Sequence, residues 1–552
     1  MQFKVVALLL SAAALGSAQM TKEQKVADFL QLASTYAINY GPLQWKRDAL
    51  HVDALNISDW LTQAANSADD LAFYEVCVAY VASLNDGHDA FELPSDFEAI
   101  LGFTTDIYDG KVFIDTISRR RLSATKYPFA VGDELVSIDG TAAMDLVQSF
   151  TKYSVAANPV TTQRFAAYAL TVRIQTLMPH AHQIGDNATV VINQQNGGLQ
   201  TYTIPWVKLG TPLTLIGPVL SPFLPHAEQG STRDYMAPLR RLRNMKMPAQ
   251  KALAGFGSVA PLFTLPATFK IRMGANSFDS FYSGTFSAQG LNIGYIRIPD
   301  FEFDFSDDLE NELAYMQKNT DGLIVDVMRN PGGDLCVAEN YAAHLIPTPF
   351  RTVGLEIRAT RNWLLGFSQA LQDAEDEGAP DDVIQQLQNL LQQVNNAYTT
   401  PSGRTPPLPV CTSSLQVEPA TDRRGNNIAY TKPIMLLTDQ MTWSAAEFFA
   451  AVMQDNQRAM TFGTRTVGAG GNVNDYQVTT YSFATATVTE SLMSRKTPMQ
   501  VDNFPSSPYV ENVGVRPDVA QEYNTVDNLN NHGATFVQAF SDAIVNYINS
   551  QK

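Results

Sequence analysis

Cysteine is scarce here, with three in 552 residues. Cys77, Cys336 and Cys411 are too few and too unevenly placed to form a disulfide scaffold. Cys77 falls on the apolar side of a helical stretch and reads as a buried thiol. Cys336 and Cys411 can pair or stay apart. Basic charge is also short: 38 Lys and Arg against 55 Asp and Glu leave a net charge of −17. That balance argues against a nucleic-acid backbone or an anionic membrane as partner. After the first 18 residues no apolar run reaches the roughly 18 residues that a spanning helix needs, so no membrane span is expected. Several catalytic signatures are missing as well. There is no Gly-x-Ser-x-Gly elbow and no His-Glu-x-x-His, and His180 and His182 form only an isolated pair, so no metal is expected. "GAGGNV" lacks the glycine spacing of a dinucleotide fingerprint, so no cofactor is expected.

What is present is an ordinary globular composition, 45% hydrophobic and 17% charged, on a chain long enough for several domains. It opens with "MQFKVVALLLSAAALGSAQ": Lys4, an apolar core from Val5 to Leu15, then small residues at Gly16-Ser17-Ala18. This pattern predicts a signal peptide over 1–18 and a secreted, extracellular protein beginning near Gln19. Sequons at Asn56 and Asn187 are glycosylation sites if the source is eukaryotic.

The region 19–95 reads as helices joined by polar turns; "LAFYEVCVAYVASL" (71–84) has an apolar face and ends in "NDGH". From 96 to 155 short strands take over: "VFIDTI", then "GDELVSIDG", then a helix from Met144. The order of strand, Gly-Asp turn, Asp-Gly hairpin and helix resembles a PDZ domain, which binds extended peptides at a sheet edge. Residues 156–289 read as an insertion with a hairpin around Asn196-Gly197. They also hold a Pro-rich basic stretch, either an ordered surface insertion or a protease-sensitive segment. From 290 to 552 strands and helices alternate, giving an α/β core, with a helical insertion near 369–397. There Val383, Leu387, Leu390, Leu391 and Val394 make one apolar stripe.

Chemistry enters at "LLTDQMTWSAAEFFAAVMQDN" (436–456). The apolar run Pro433–Leu437 predicts a buried strand, and the helical pattern starts at Ala445. Ser444 then stands at a helix N-cap, with Glu447 three residues on as in a capping box. The same place exposes a hydroxyl beside free helix N–H groups, where an oxyanion is stabilised. "GLIVDVMRNPGGDL" predicts a strand ending in Gly332-Gly333, glycines that allow close approach and offer N–H groups as oxyanion donors. His88 in "LNDGHDAF" and Glu511 in "YVENVGVRPDVA" are a candidate base and a candidate carboxylate.

Taken in order, "IGYIRIPDF", "LIVDVMRNPGG", "TDQMTWSAAEFF" and "ENVGVRPDV" resemble peptidase family S41, the C-terminal processing peptidases. Upstream, "NYGPLQWKRDAL" and "YVASLNDGHDAF" look like the branch containing the chlamydial protease-like activity factor. The resemblance implies a ClpP/crotonase-like core, no cofactor, and polypeptide substrates; a homodimer stays open. Many members use a Ser–Lys dyad, but the lysine's place in "TVGAGG" is Ala469. The branch resembled uses His, Ser and Glu instead. That implies Ser444 as nucleophile, His88 as base, Glu511 as its carboxylate partner, and an oxyanion hole from Ala445 with Gly332 or Gly333. Glu490 in "VTESLM" competes with Glu511 for the third role. The resemblance also implies that 218–250 is an inhibitory segment cut on activation. Two rival functions are a catalytically silent S41 fold binding a hydrophobic ligand or peptide, and an esterase using the same triad.

Overall fold

The computed structural model describes residues 19–218, 234–247, 255–401, 403–501 and 504–551. The expected signal peptide lies outside the described residues.

The core is a seven-stranded sheet in the order Lys270–Met273, Tyr282–Ala288, Leu291–Arg297, Gly322–Asp326, Ile434–Thr438, Ala459–Gly463, Val519–Ala520. The first three strands pair antiparallel and the remaining pairings are parallel. Strand side chains alternate between faces. Leu323, Val325, Ile434 and Leu436 therefore pack on one side, against the helices Ser306–Asn319, Leu335–Leu345 and Ala445–Asp455. Ile324, Met435 and Leu437 pack on the other, against Phe536, Phe540 and Ile544 of the helix Ala534–Ser550. Burial on both faces explains why these strands read as unbroken apolar runs.

The expected α/β class and PDZ-like domain are present, with one change of boundary. The hairpin Asn187–Gln194 and Gly198–Pro205, expected in the 156–289 insertion, joins the sheet of Phe103–Tyr108, Lys111–Ile117 and Glu134–Ile138. The PDZ-like unit therefore continues well past 155. Strand pairing across 50 residues leaves no local mark on the sequence, so the hairpin's partner was not readable from its turn.

Four helices, Lys22–Asn39, Leu43–Leu50, Ser58–Asn66 and Asp70–Ser83, form the N-terminal region. Phe29, Tyr36, Tyr74 and the Cys77 thiol are buried with Ala486 and Val488 from the far end of the chain. The loop carrying His88 is thus fixed to the core: Ala90–Glu92 pairs with Thr485–Thr489. The insertion near 369–397 is a hairpin of two helices, Arg361–Glu377 and Asp381–Tyr398, rather than a single one. Gly378 in the left-handed region and Pro380 end the first helix and begin the second. A disulfide joins Cys336 to Cys411 and encloses this hairpin. Among the described residues no helix is long and apolar enough to cross a membrane.

Candidate active site

The strand Ile434–Thr438 ends at a turn held by Asp439, whose carboxylate accepts the N–H groups of Arg329 (2.9 Å) and Met441 (3.0 Å). The chain then passes Trp443 and reaches Ser444 with φ 57° and ψ −116°. A positive φ at a non-glycine residue costs about 1–3 kcal/mol and persists only where the surroundings enforce it. Trp443 N–H donates to Asn330 C=O (2.9 Å) and Glu447 Oε2 accepts the Ser444 N–H (3.1 Å), so both sides of the turn are pinned. The expected capping box of Ser444 and Glu447 is in place. The Ser444 hydroxyl makes its closest contacts to His88 Nε2 at 2.7 Å and to the carbonyl oxygen of Met245 at 2.5 Å.

His88 reaches Ser444 across 356 residues of sequence. Its loop begins at Asn85, in the left-handed region. Asp86 accepts the His88 N–H (2.9 Å), and Thr487 donates to the His88 carbonyl (2.6 Å). Gly87 is required by space: a Cβ there would lie 2.8 Å from Ala469 Cβ and 2.9 Å from Trp443 Cζ2. Ala469 is therefore part of the wall against which the histidine loop packs.

Glu511 is fully buried, and its link to the histidine loop runs through Lys46. One oxygen is bonded by the Lys46 ammonium and the other accepts Gly470 N–H at 3.2 Å. Lys46 also donates to Asn85 C=O (3.0 Å) and Asn512 Oδ1 (2.8 Å), tying the Glu511 segment to the histidine loop. Burial pushes the Glu511 carboxyl up to about 8, with the Asp86 charge adding to it and Lys46 opposing. Burial likewise lifts Glu447 to about 7, against hydrogen bonds from Thr466, Gly468 and Ala469. The glycine-rich turn 468–471 thus serves two carboxylates with its backbone N–H groups.

The expected oxyanion donors surround one small space. The Cβ position that Gly332 leaves empty lies 2.5 Å from the Met245 carbonyl oxygen, 2.8 Å from Ser444 Cβ and 2.9 Å from Ala445 N. Gly332, at φ +95°, contributes room, because its own N–H donates to Asn330 Oδ1 (2.9 Å). Gly333 sits in the strand Gly332–Asp334, which lies between Phe301 and residues 244–246.

Residues 244–246 are the unexpected occupant. Asn244, Met245 and Lys246 pair antiparallel with Asp334, Gly333 and Gly332. Met245 and Met247 are buried, the latter beside Trp443, while Lys246 faces out to Glu302 (2.9 Å). Of the basic stretch 218–250, then, the part 234–247 is a short helix, Ala237–Arg243, running into a strand that lies across Ser444.

Glu490, the alternative third residue, is bound by Arg241, Asn472, Asn474 and Tyr476. His180 bonds Glu75 (2.9 Å) and His182 bonds Gln175 (3.0 Å). Among the described residues no group of three or more His, Cys, Asp or Glu is placed to hold a metal ion. Sequence reasoning did not single out Lys46 or Met245. Lys46 lies on an eight-residue helix with no distinct pattern, and Met245 gains its position only from a partner strand 88 residues away.

Residues 292–521 match the model of peptidase family S41, and 97–211 match that of a PDZ domain. A protein of Chlamydia muridarum is 22% identical, over 96% of this chain and 93% of its own length. A carboxyl-terminal-processing protease of Synechocystis is 28% identical over 33% of this chain and 30% of its own. The structure of mature CPAF complexed with lactacystin superposes with a TM-score of 0.75 at 20% identity, covering 96% of this chain and 99% of that one.

Proposed function

Since the chain is a serine-type peptidase whose residues 292–521 match family S41, we propose that it is a secreted endopeptidase working through Ser444, His88 and Glu511, held closed by its own residues 234–247. The observation that carries the reading is the 2.7 Å contact between His88 Nε2 and the Ser444 hydroxyl. His88 takes the hydroxyl proton as Ser444 Oγ attacks a peptide carbonyl carbon, and the oxyanion is received by Ala445 N–H at the helix mouth. Collapse breaks the C–N bond, His88 gives its proton to the departing amine, and an acyl-enzyme remains. Water, deprotonated by His88, then releases the acid. The carboxylates of Asp86 and Glu511 lie around the imidazole loop, and an ionised Glu511 stabilises the imidazolium formed in each step.

The occupied cleft supports the closed state. A strand added to Gly332–Asp334, with a carbonyl oxygen against the nucleophile, is how a peptide substrate binds by edge pairing. Secretion rests on the sequence of residues 1–18, and both sequons, Asn56 and Asn187, are exposed.

The test is digestion of an unfolded protein such as casein, before and after limited trypsin treatment directed at Arg240, Arg241, Arg243 and Lys246. Hydrolysis that appears or rises after the cut, and is absent in Ser444→Ala, is the expected result. Equal hydrolysis by Ser444→Ala would remove the nucleophile from the reading.

A further inference from the structure

Glu490 is not used by the triad, yet its side chain is only 2% exposed and is surrounded by donors. Asn472 Nδ2 donates at 3.1 Å and Asn474 Nδ2 at 2.6 Å, with the Tyr476 hydroxyl and both Nε and Nη2 of Arg241 completing the set. The Arg241 guanidinium also lies 5.1 Å from the Trp363 ring and 5.6 Å from the Tyr476 ring. A cavity of about 680 Å³, lined in part by Arg241, Trp363, Asp234 and Asp373, opens this place to solvent.

All of these groups except Arg241 and Asp234 belong to the body of the enzyme. Arg241 is on the helix that leads into the cleft strand, four positions before Met245. When that strand leaves Ser444, Arg241 leaves with it. The carboxylate stays behind, with the neutral donors Asn472, Asn474 and Tyr476 around it and the rings of Trp363 and Tyr476 where the guanidinium lay. A carboxylate so enclosed and deprived of its cation favours another cation.

We propose that Glu490, with Asn472, Asn474, Tyr476 and Trp363, is a guanidinium-binding subsite that selects polypeptides carrying an arginine on the N-terminal side of the bond cut, and that Arg241 occupies it in the closed chain. The proposal rests on the peptidase reading and on residues 234–247 as cleft occupant. Direction follows from the occupant: Arg241 precedes the carbonyl that contacts Ser444. Arginine is favoured over lysine because the fork bonds both carboxylate oxygens and the planar group stacks on the rings.

The experiment uses the full chain carrying Arg241→Gln, whose cleft strand has lost its anchor. It is given fluorogenic peptides with the sequence of residues 238–249, glutamine at positions 240 and 243, and arginine, lysine or glutamine at position 241. The arginine peptide is expected to be cut with a kcat/KM about ten-fold or more above the glutamine peptide, with lysine between them. Adding Glu490→Gln is expected to level the three. Equal rates on the arginine and glutamine peptides in the Arg241→Gln chain would overturn the subsite, and that comparison does not depend on how the Glu490 variant folds. Casein hydrolysis without cleavage of any of the peptides would overturn it too. If no polypeptide at all is cut by these chains or by the trypsin-opened wild type, the peptidase reading fails first and the subsite with it.

Discussion

Replacing Lys46 by methionine should disable the enzyme through Glu511 without touching substrate. Lys46 and Glu511 are both fully buried and paired. Removing one member of such a pair leaves an uncompensated charge, at a cost of about 3–5 kcal/mol of stability. The carboxylate avoids part of that cost by holding its proton. Its pKa is already pushed up to about 8 by burial and by Asp86, and Lys46 is the main force opposing this. Without the ammonium it rises further. At pH 7 a group at about 8 is roughly one-tenth ionised; one more unit makes that about one-hundredth, a ten-fold loss of the active form. The assay is the pH dependence of fluorophosphonate reaction at Ser444 in chains whose cleft strand has been cut by trypsin. Wild type should react faster as pH rises through about 8. Lys46→Met should show the same rise displaced to higher pH, about ten-fold slower at pH 7. Lys46→Arg, which keeps the charge, should recover part of the difference. A Lys46→Met chain that unfolds more easily but keeps the wild-type pH profile would refute the coupling and leave Lys46 as packing alone.

Gly87→Ala must move the histidine loop, since the new Cβ would sit 2.8 Å from Ala469 Cβ and 2.9 Å from Trp443 Cζ2. A shift near 1 Å can cost about 100-fold in rate, measurable as casein hydrolysis with little change in thermal midpoint. Glu447 and Glu511 have folded pKa values of about 7 and about 8, raised from 4.5. The folded protein therefore keeps protons that the unfolded chain has lost, and stability should fall as pH rises from about 4.5 through 7 to 8. Urea midpoints that rise over that interval would contradict the assignment. Cys411→Ser opens a link across 75 residues, worth up to about 4.5 kcal/mol by loop entropy. Urea unfolding of oxidised and reduced wild type should show a loss of the same sign.

Ser444 was legible in the sequence because its signals are local: an apolar strand, a tight turn and a helical run follow one another within about two dozen residues. The core strands were legible for the same reason. His88 was legible only through the order of motifs, since nothing in "LNDGHDAF" states that Ser444 stands 356 positions away. Lys46 was hidden because a buried lysine on a short helix looks like an exposed one until Glu511 is placed beside it. The basic stretch 218–250 drew attention by composition. That residues 244–246 form a strand depends on Gly332–Asp334, whose two glycines leave space for a neighbouring backbone. The hairpin at 187–205 shows its turn but not its partner, so the sequence alone ends the PDZ-like unit too early. Glu490 competes with Glu511 in the sequence alone because nothing local marks Arg241 as its partner.

Histidine activation of Ser444 is read most directly from the site and rate of fluorophosphonate labelling in the trypsin-opened chain, by intact mass and peptide mapping, with His88→Ala alongside. The expected result is one adduct, on Ser444, formed at least about 100-fold more slowly in His88→Ala. An adduct on another residue, or equal labelling of Ser444 with and without His88, would contradict a histidine-activated Ser444.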